Sequence, residues 1–542
     1  MSAASMDPTA STPWWKRAVF YQIYPRSFLD SDGDGVGDLA GVRARLAYLA
    51  DLGVDAIWLS PFFASPMKDF GYDVSDYRAV DPALGGLADF DAVVEEAHRL
   101  GLKVVIDQVW SHTSDQHPWF KESDASAASD KGDWYVWADA RPDGSPPNNW
   151  QASFGGPSWT WSPRRRQYYL HNFLPSQPDL NFRNPAVQEA VLDVARFWLD
   201  RGVDGFRLDV VNYFFHDAAL RDNPPAALPR TPALTYALQR HVHNRSQPET
   251  LAFLSRLRAL LDSYGERMAV GEIVDHDPLE TQAAYTRGRE RLHSAYSFYL
   301  LDARRADPGL FREAIEGWRG RDGWPSWSLG NHDVPRFPSR LAPGGEPDPR
   351  LTRCLLAILM TLPGTPYIYQ GDELGLPQAQ VPFERLRDPF AIAAYTGGAG
   401  RDGARTPMPW SAQEANAGFS AAVETWLPLD PAHRELAVDR QQGHEESTLE
   451  FVRRLLAVRR RLPALQLGGG APLALEAPET VLAFVRELGD QRCALVFELG
   501  GEAARIARPP AGALIDIGLG GRLEDGALVL PPYGGALVAL DA

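Results

Sequence analysis

Cysteine is nearly absent: the chain has two in 542 residues, Cys354 and Cys493, each inside an apolar run (CLLAILM and CALVF). Two such residues give no disulfide framework and are expected as reduced, buried small hydrophobes. Long apolar runs are missing as well. No stretch of about 18 uncharged apolar residues occurs, which excludes a membrane-spanning helix. The beginning, MSAASMDPTASTPWW, has neither a basic start nor the ~7–15-residue apolar run of a secretory signal. These absences lead to the expectation of a cytoplasmic protein. Basic charge is the scarcer sign, with 54 Lys and Arg against 70 Asp and Glu, a net charge of −16. Binding to phosphate backbones or anionic membranes needs clustered cations, so neither nucleic acid nor a membrane is expected as a partner. The composition gives no oligomeric state.

Length and alternation are what the chain does have. At roughly 150 residues per domain, this length corresponds to three or four domains. Strands are predicted at 19–24, 56–60, 103–109, 205–211, 268–273, 295–300, 327–330 and 366–369. Amphipathic stretches at 39–52, 90–100, 187–201 and 251–264 lie between them, several ending in the Gly that a helix terminus favours. Eight strands alternating with helices imply a parallel sheet, and eight is the number that closes a (β/α)8 TIM barrel, an α/β fold. The rival, an open doubly wound sheet, lacks its GxGxxG after the first strand. Residues 113–180, after strand 3, are rich in Trp, Pro, Ser, Asp and Gly with little helical period, and read as an inserted lid domain. From about Gly470 short apolar runs broken by Gly and Pro indicate a C-terminal antiparallel β-domain. The expected organisation is a catalytic barrel over 1–112 and 181–465, a lid over 113–180, and the β-domain over 466–542.

Carboxylates and their helpers stand at the predicted strand ends: DQVWSH (Asp107–His112) after strand 3, GFRLDV with Arg207 and Asp209 at strand 4, GE with Glu272 at strand 5, and NHD with His332 and Asp333 after strand 7. In a strand, residues i and i+2 share a face, so Arg207 and Asp209 point the same way, and a guanidinium orients and ionises a neighbouring carboxylate. Glu272 ends an apolar run (MAVGEI), a setting that favours a general acid. Acids converging on a cleft without a nearby Lys suggest cleavage through a cationic transition state. The same Asp, Glu and His set is also compatible with a catalytic metal.

A second cluster is legible from spacing alone. Asp30-Ser-Asp32-Gly-Asp34-Gly-Val36-Gly-Asp38 places carboxylates at loop positions 1, 3, 5 and 9, Gly at 6 and the Val36 carbonyl at 7. Position 12 is Gly41, so the bidentate Glu of an EF-hand is missing. A structural Ca²⁺ or Mg²⁺ is expected in this loop, with no cofactor for catalysis.

The four strand-end segments resemble, in order and spacing, the conserved regions of the α-amylase family, family 13 of the glycoside hydrolases. YQIYPRSF, GYDVSDY, YQGDELG and GRDGARTPMPW look like the branch of oligo-1,6-glucosidases, maltase-type α-glucosidases and sucrose isomerases. The resemblance implies Asp209 as nucleophile, Glu272 as general acid/base and Asp333 as the third carboxylate. It implies that His112, Arg207 and His332 hydrogen-bond the nonreducing-end glucosyl unit and that Tyr72 stacks on it. Asp69 would pair with an Arg of GRDGART, Arg405 being favoured over Arg401. Phe154, Phe173 and Gln177 lie where the family's lid lines the pocket, the two Phe being alternatively lid core. Ser111 stands where α-amylases have a calcium-holding Asn, so no ion is expected between barrel and lid. Val210, after the nucleophile, accompanies α-1,6 activity in the branch, whereas VPFERLRDP (Val381–Pro389) resembles enzymes preferring short α-1,4 substrates. The implied activity is a retaining exo-α-glucosidase for maltose and other short α-glucosides, with glucosyl transfer to alcohols. An oligo-1,6-glucosidase is the alternative. A sucrose-acting enzyme is disfavoured by the absence of an RLDRD-type loop, and a non-catalytic relative by the presence of all three acids.

Overall fold

The computed structural model describes residues 12–227, 234–393 and 400–541. Most of the N-terminal stretch read above for a signal, and residues 394–399, lie outside the described residues.

Eight strands, β1 (Phe20–Ile23), β2 (Ala56–Leu59), β3 (Lys103–Gln108), β4 (Gly205–Leu208), β5 (Met268–Ile273), β6 (Ser294–Ser297), β7 (Ser326–Ser328) and β8 (Thr365–Tyr369), form one parallel sheet in the order β6-β5-β4-β3-β2-β1-β8-β7. The two ends meet through a bridge of Ala295 to Pro325, and the Ser294 hydroxyl lies 2.5 Å from that of Ser326 and donates to the Trp324 carbonyl at 3.0 Å. The sheet is thereby a closed barrel, as predicted. Phe20, Trp58, Val105, Met268, Val270, Tyr296 and Tyr367 pack together as its apolar interior. The opposite faces of the strands pack on the surrounding helices, among them Leu87–Arg99, Pro185–Asp200, Glu249–Ser263 and the almost wholly buried Pro349–Thr361.

The predicted elements differ from the observed ones mainly at their ends. Strand 6 stops at Ser297, and Phe298–Leu301 form a helical turn; a short apolar run does not distinguish buried strand from buried helix. The predicted helix 39–52 breaks at Arg45 (φ −109°, ψ 4°) into Leu39–Ala44 and Leu46–Leu52. Strand 4 ends at Leu208 because Val210 turns the chain in the left-handed region (φ 34°, ψ 50°). That conformation strains a β-branched residue by about 1–3 kcal/mol, a cost tolerated chiefly at functional sites.

Between β3 and β4 the chain makes an excursion whose two ends lie side by side, His112 bridging Asp179 and Tyr135 bridging Leu180. It contains the helix Pro118–Ala125 and a small antiparallel sheet of Trp137–Ala138, Gln167–Leu170 and Trp159–Ser162. After the barrel, β9 (Gly469–Pro472), β10 (Val481–Leu488), β11 (Gln491–Glu498), β12 (Gly512–Ile515) and β13 (Gly535–Leu540) form an antiparallel sheet in the order β9-β10-β11-β13-β12. One face of it, including Leu482, Phe484, Cys493, Leu495 and Phe497, joins the main core. Both cysteines are unpaired and buried.

Candidate active site

The acids gather at the C-terminal mouth of the barrel around Arg207, a fully buried guanidinium on β4. Lateral register in the parallel sheet makes Asp107 its neighbour on β3. Arg207 Nη1 donates to both Asp107 oxygens at 2.8 and 3.0 Å and to Asp209 Oδ1 at 2.7 Å, and Nη2 lies 2.6 Å from Glu272 Oε2. The Asp209 amide continues the ladder to the Gln108 carbonyl (3.1 Å), after which the turn at Val210 frees the carboxylate and aims the Val210 N–H at Glu272 Oε2 (3.1 Å). The strained turn therefore links both acids. Tyr296, register partner of Glu272 on β6, donates to Glu272 Oε1 at 3.0 Å and accepts from Arg207.

One guanidinium faces three carboxylates. Burial pushes Asp107 up to about 6 against the pull of Arg207. Burial also pushes Asp209 well above the ordinary carboxylate range, with Arg207 opposing and Glu272 and Asp107 reinforcing the rise. Arg207 orients Asp209 as the spacing predicted, while burial and the neighbouring acids oppose the ionisation that its guanidinium favours.

Asp333 differs. Burial would raise it, but His332, Arg405 and Arg401 hold its carboxyl well below the ordinary value. Arg405 Nη2 donates to Asp333 Oδ1 at 2.9 Å and Nε to the His332 carbonyl at 2.7 Å. Arg401, not Arg405, pairs with Asp69: its Nη2 lies 2.7 Å from Asp69 Oδ1 and 2.7 Å from Asp388 Oδ1. The expectation that favoured Arg405 is corrected here. The two arginines flank the 3₁₀ turn Asp402–Ala404, which sends them to different partners.

The remaining predicted residues are here too. His332 stacks on Tyr72 (ring centroids 5.2 Å apart, 4° between planes), and its Nδ1 and Nε2 meet Gln22 and the Tyr72 hydroxyl at 2.7 and 2.5 Å. His112 Nε2 bonds the Tyr72 carbonyl at 2.9 Å and its Nδ1 meets the Ser111 hydroxyl at 2.8 Å. Burial lowers His112 to about 4, so it is a neutral hydrogen-bonding group. Gln177 reaches Asp69 at 3.1 Å. Phe154 and Phe173 are half-buried and form part of the wall of the cavity above the acids.

That cavity has a volume of about 250 Å³. Asp69, Tyr72, His112, Gln177 and Arg401 line its polar end, and Tyr213, Tyr236, Val274, Phe298 and Phe390 its apolar wall. The sequence reading missed Tyr296, Asp388 and this apolar wall. The register partner of Glu272 was a signal for Tyr296; nothing local marked the others.

The loop after β1 brings Asp30, Asp32 and Asp38 together, with one carboxylate oxygen from each lying within 4.8 Å of the others. Asp34, expected in the same set, stands outside it: its Oδ1 accepts the Val36 N–H at 2.7 Å in a local turn. Asp30 is buried, which would raise its carboxyl, but hydrogen bonds from Ser420 and the Gly35 and Gly33 amides hold it below the ordinary value. Gly35 is required, since at φ +92° a Cβ would meet the Glu424 carbonyl oxygen at 2.4 Å. No ion pair is formed by these aspartates among the described residues, and their all-oxygen set fits a hard divalent cation.

A closed β/α barrel with buried carboxylates around one arginine at its C-terminal mouth, facing a cavity of about 250 Å³, is an arrangement suited to carbohydrate cleavage. The model of the alpha amylase catalytic domain matches residues 22–468. A probable alpha-glucosidase of Rhizobium meliloti (strain 1021) is 49% identical over 92% of this chain and 91% of its own, and an oligo-1,6-glucosidase of Parageobacillus thermoglucosidasius is 36% identical over 89% and 90%. Among solved structures, the alpha-glucosyl transfer enzyme XgtA superposes with a TM-score of 0.94 at 51% identity, covering 98% of this chain and all of that one (100%). The chain belongs to the α-amylase family and is a glycoside hydrolase. Among the described residues, no helix is long and apolar enough to cross a membrane.

Proposed function

We propose that this chain is a retaining, exo-acting α-glucosidase that cleaves maltose and other short α-1,4-glucosides and transfers glucose to alcohol acceptors. The observation that carries this reading is the sharing of Arg207 by Asp209 and Glu272, at 2.7 and 2.6 Å. A retaining enzyme needs two carboxyls about 5–5.5 Å apart, and a common planar fork favours such closeness. Asp209 attacks the anomeric carbon while Glu272, as the general acid, protonates the departing oxygen. Glu272 then takes a proton from water or an alcohol, whose oxygen displaces Asp209 from the glucosyl ester. Asp333, held ionised by its arginines, stabilises positive charge developing on the ring.

Exo action rests on the closed polar end, where Asp69, Arg401, His112 and Gln177 meet a terminal glucosyl unit. Asp388, the other partner of Arg401, belongs to the VPFERLRDP segment, so that segment helps build the pocket and supports the maltose-type reading over the one suggested by Val210. The apolar wall supports transfer, since it receives an alcohol better than it orders water. The expected result on maltose, isomaltose, sucrose, maltotriose and soluble starch is the highest kcat/KM on maltose, little action on starch, and α-glucose as the first product by NMR. Isomaltose exceeding maltose selects the oligo-1,6-glucosidase alternative, and β-glucose as first product ends the retaining assignment. A cytoplasmic location belongs to the same proposal, supported by the two unpaired cysteines.

Asp30, Asp32 and Asp38, with the Val36 carbonyl, are proposed to hold a structural Ca²⁺ or Mg²⁺. Such an ion would neutralise mutual repulsion and anchor the loop to Ser420. Chelation is expected to lower Tm by several °C, and Ca²⁺ or Mg²⁺ to restore it, as for a ligand bound only by the native state. kcat well below Tm should stay unchanged; an unaltered Tm after exhaustive chelation removes the assignment.

A further inference from the structure

A second cavity, of about 300 Å³, lies at the floor of the barrel, opposite the catalytic mouth. Its walls come from the helix Trp14–Arg17, from Gly53–Asp55 and Gly101–Lys103 where the chain enters β2 and β3, and from the helices Thr448–Arg461 and Pro463–Leu467. Four of its side chains are cationic, Arg17, Lys103, Arg459 and Arg460, against one carboxylate, Asp55. In a chain with a net charge of −16 this inverts the overall balance.

Among the described residues, two of the four cations are paired with carboxylates and two are not. Asp55 accepts from the Val19 amide at 2.8 Å and from Arg460 at 3.1 Å, and Lys103 reaches Asp204 at 3.0 Å. Arg459, only 2% exposed, meets no carboxylate among the described residues: its guanidinium donates to the carbonyls of Met360, Leu465 and Gly364 at 2.7, 2.6 and 3.2 Å, and its Nε–H has no partner there. Behind it Arg486, fully buried, is bonded among the described residues only to carbonyls, those of Thr361, Leu362, Gly468 and Gly469. Half-buried Arg17 makes no side-chain hydrogen bond or ion pair with a described residue. Buried charge is expensive unless an opposite charge accompanies it, and carbonyl dipoles supply only part of that compensation.

We propose that this cavity binds a phosphate group, either as the free ion or as the phosphomonoester of a small sugar. Arg17 and Arg460 offer planar forks suited to bidentate phosphate contacts, and Lys103 adds a compact charge. Arg459 and Arg486 deepen the positive potential from behind without contacting the ligand. The volume exceeds the needs of a lone phosphate and leaves room for a hexose.

Calorimetric titration of the full chain with inorganic phosphate, and separately with glucose 6-phosphate, tests this. Both are run at constant ionic strength in NaCl with saturating glucose filling the catalytic pocket. A saturable 1:1 isotherm with at least one ligand is expected, with a rise in Tm that chloride does not reproduce. Binding of both ligands identifies the free ion as sufficient, and binding of glucose 6-phosphate alone identifies the ester. Arg17→Ala should weaken binding tenfold or more while leaving kcat/KM on maltose within twofold, and Arg17→Glu should abolish it. Failure of both ligands to saturate, or binding by the Arg17→Ala and Arg17→Glu variants as tight as that of the wild type, overturns the proposal.

Discussion

Asp209→Asn is expected to lower kcat on maltose by on the order of 10⁴–10⁶-fold, about 5–8 kcal/mol of transition-state stabilisation. The amide keeps the shape and can still accept from Arg207 Nη1, so the loss reports the missing covalent route and not a displaced arginine. The expected effect on stability has the opposite sign. Asp209 is a buried carboxylate in a group where three acids share one guanidinium, and burial already drives it toward protonation. Replacing it removes like-charge repulsion and desolvation cost, so Tm should hold or rise, the pattern expected where a site gives up stability for function. Thermal melts beside steady-state kinetics separate the two effects. A variant within tenfold of the wild type in kcat would show that another group attacks the anomeric carbon.

Much of this group was legible in the sequence because strand geometry is local. A period of two puts Arg207 and Asp209 on one face, and eight apolar runs of strand length separated by helical periods define a barrel whose strand ends carry the chemistry. What was not legible depends on register and on irregular backbone. Tyr296 bonds Glu272 only because β6 pairs with β5 in one alignment, and no single strand encodes that. Phe298 enters the cavity wall because the chain leaves β6 for a helical turn that an apolar run conceals. The choice between Arg401 and Arg405 turned on a three-residue 3₁₀ turn, where no periodicity assigns a face. The floor cavity was invisible for a related reason: Arg17, Lys103, Arg459 and Arg460 are far apart in the chain and look like ordinary surface cations until the terminal helices close over the barrel.

Arg401→Ala is expected to be the most damaging change outside the acids themselves. Its guanidinium is the junction of the closed end: Nη2 serves Asp69 and Asp388 at 2.7 Å each, Nε serves Asp388 at 3.0 Å, Nη1 reaches Asp333 at 3.3 Å, and Cζ lies 5.2 Å from the Phe154 ring centroid. Asp69 and Asp388 are 4% and 0% exposed, so truncation leaves two buried carboxylates without a cation. Breaking a buried pair in this way costs about 3–5 kcal/mol, and Tm should fall accordingly. Asp69, freed from its fork, no longer presents its oxygens to the terminal glucosyl hydroxyls, so kcat/KM on maltose should drop about 10³-fold, roughly 4 kcal/mol. Arg401→Lys discriminates between charge and geometry: an ammonium neutralises one carboxylate but cannot bridge both, so it should recover part of the stability and little of the kcat/KM. If Arg401→Lys restores kcat/KM to within a few-fold of wild type, the fork is not what defines the closed end, and terminal-glucose selection must be sought among His112, Gln177 and Asp333. Arg405→Lys gives the internal comparison. Among the described residues its carboxylate contact is with Asp333 alone, so its effect should appear in kcat, through charge stabilisation, with KM for maltose nearly unchanged.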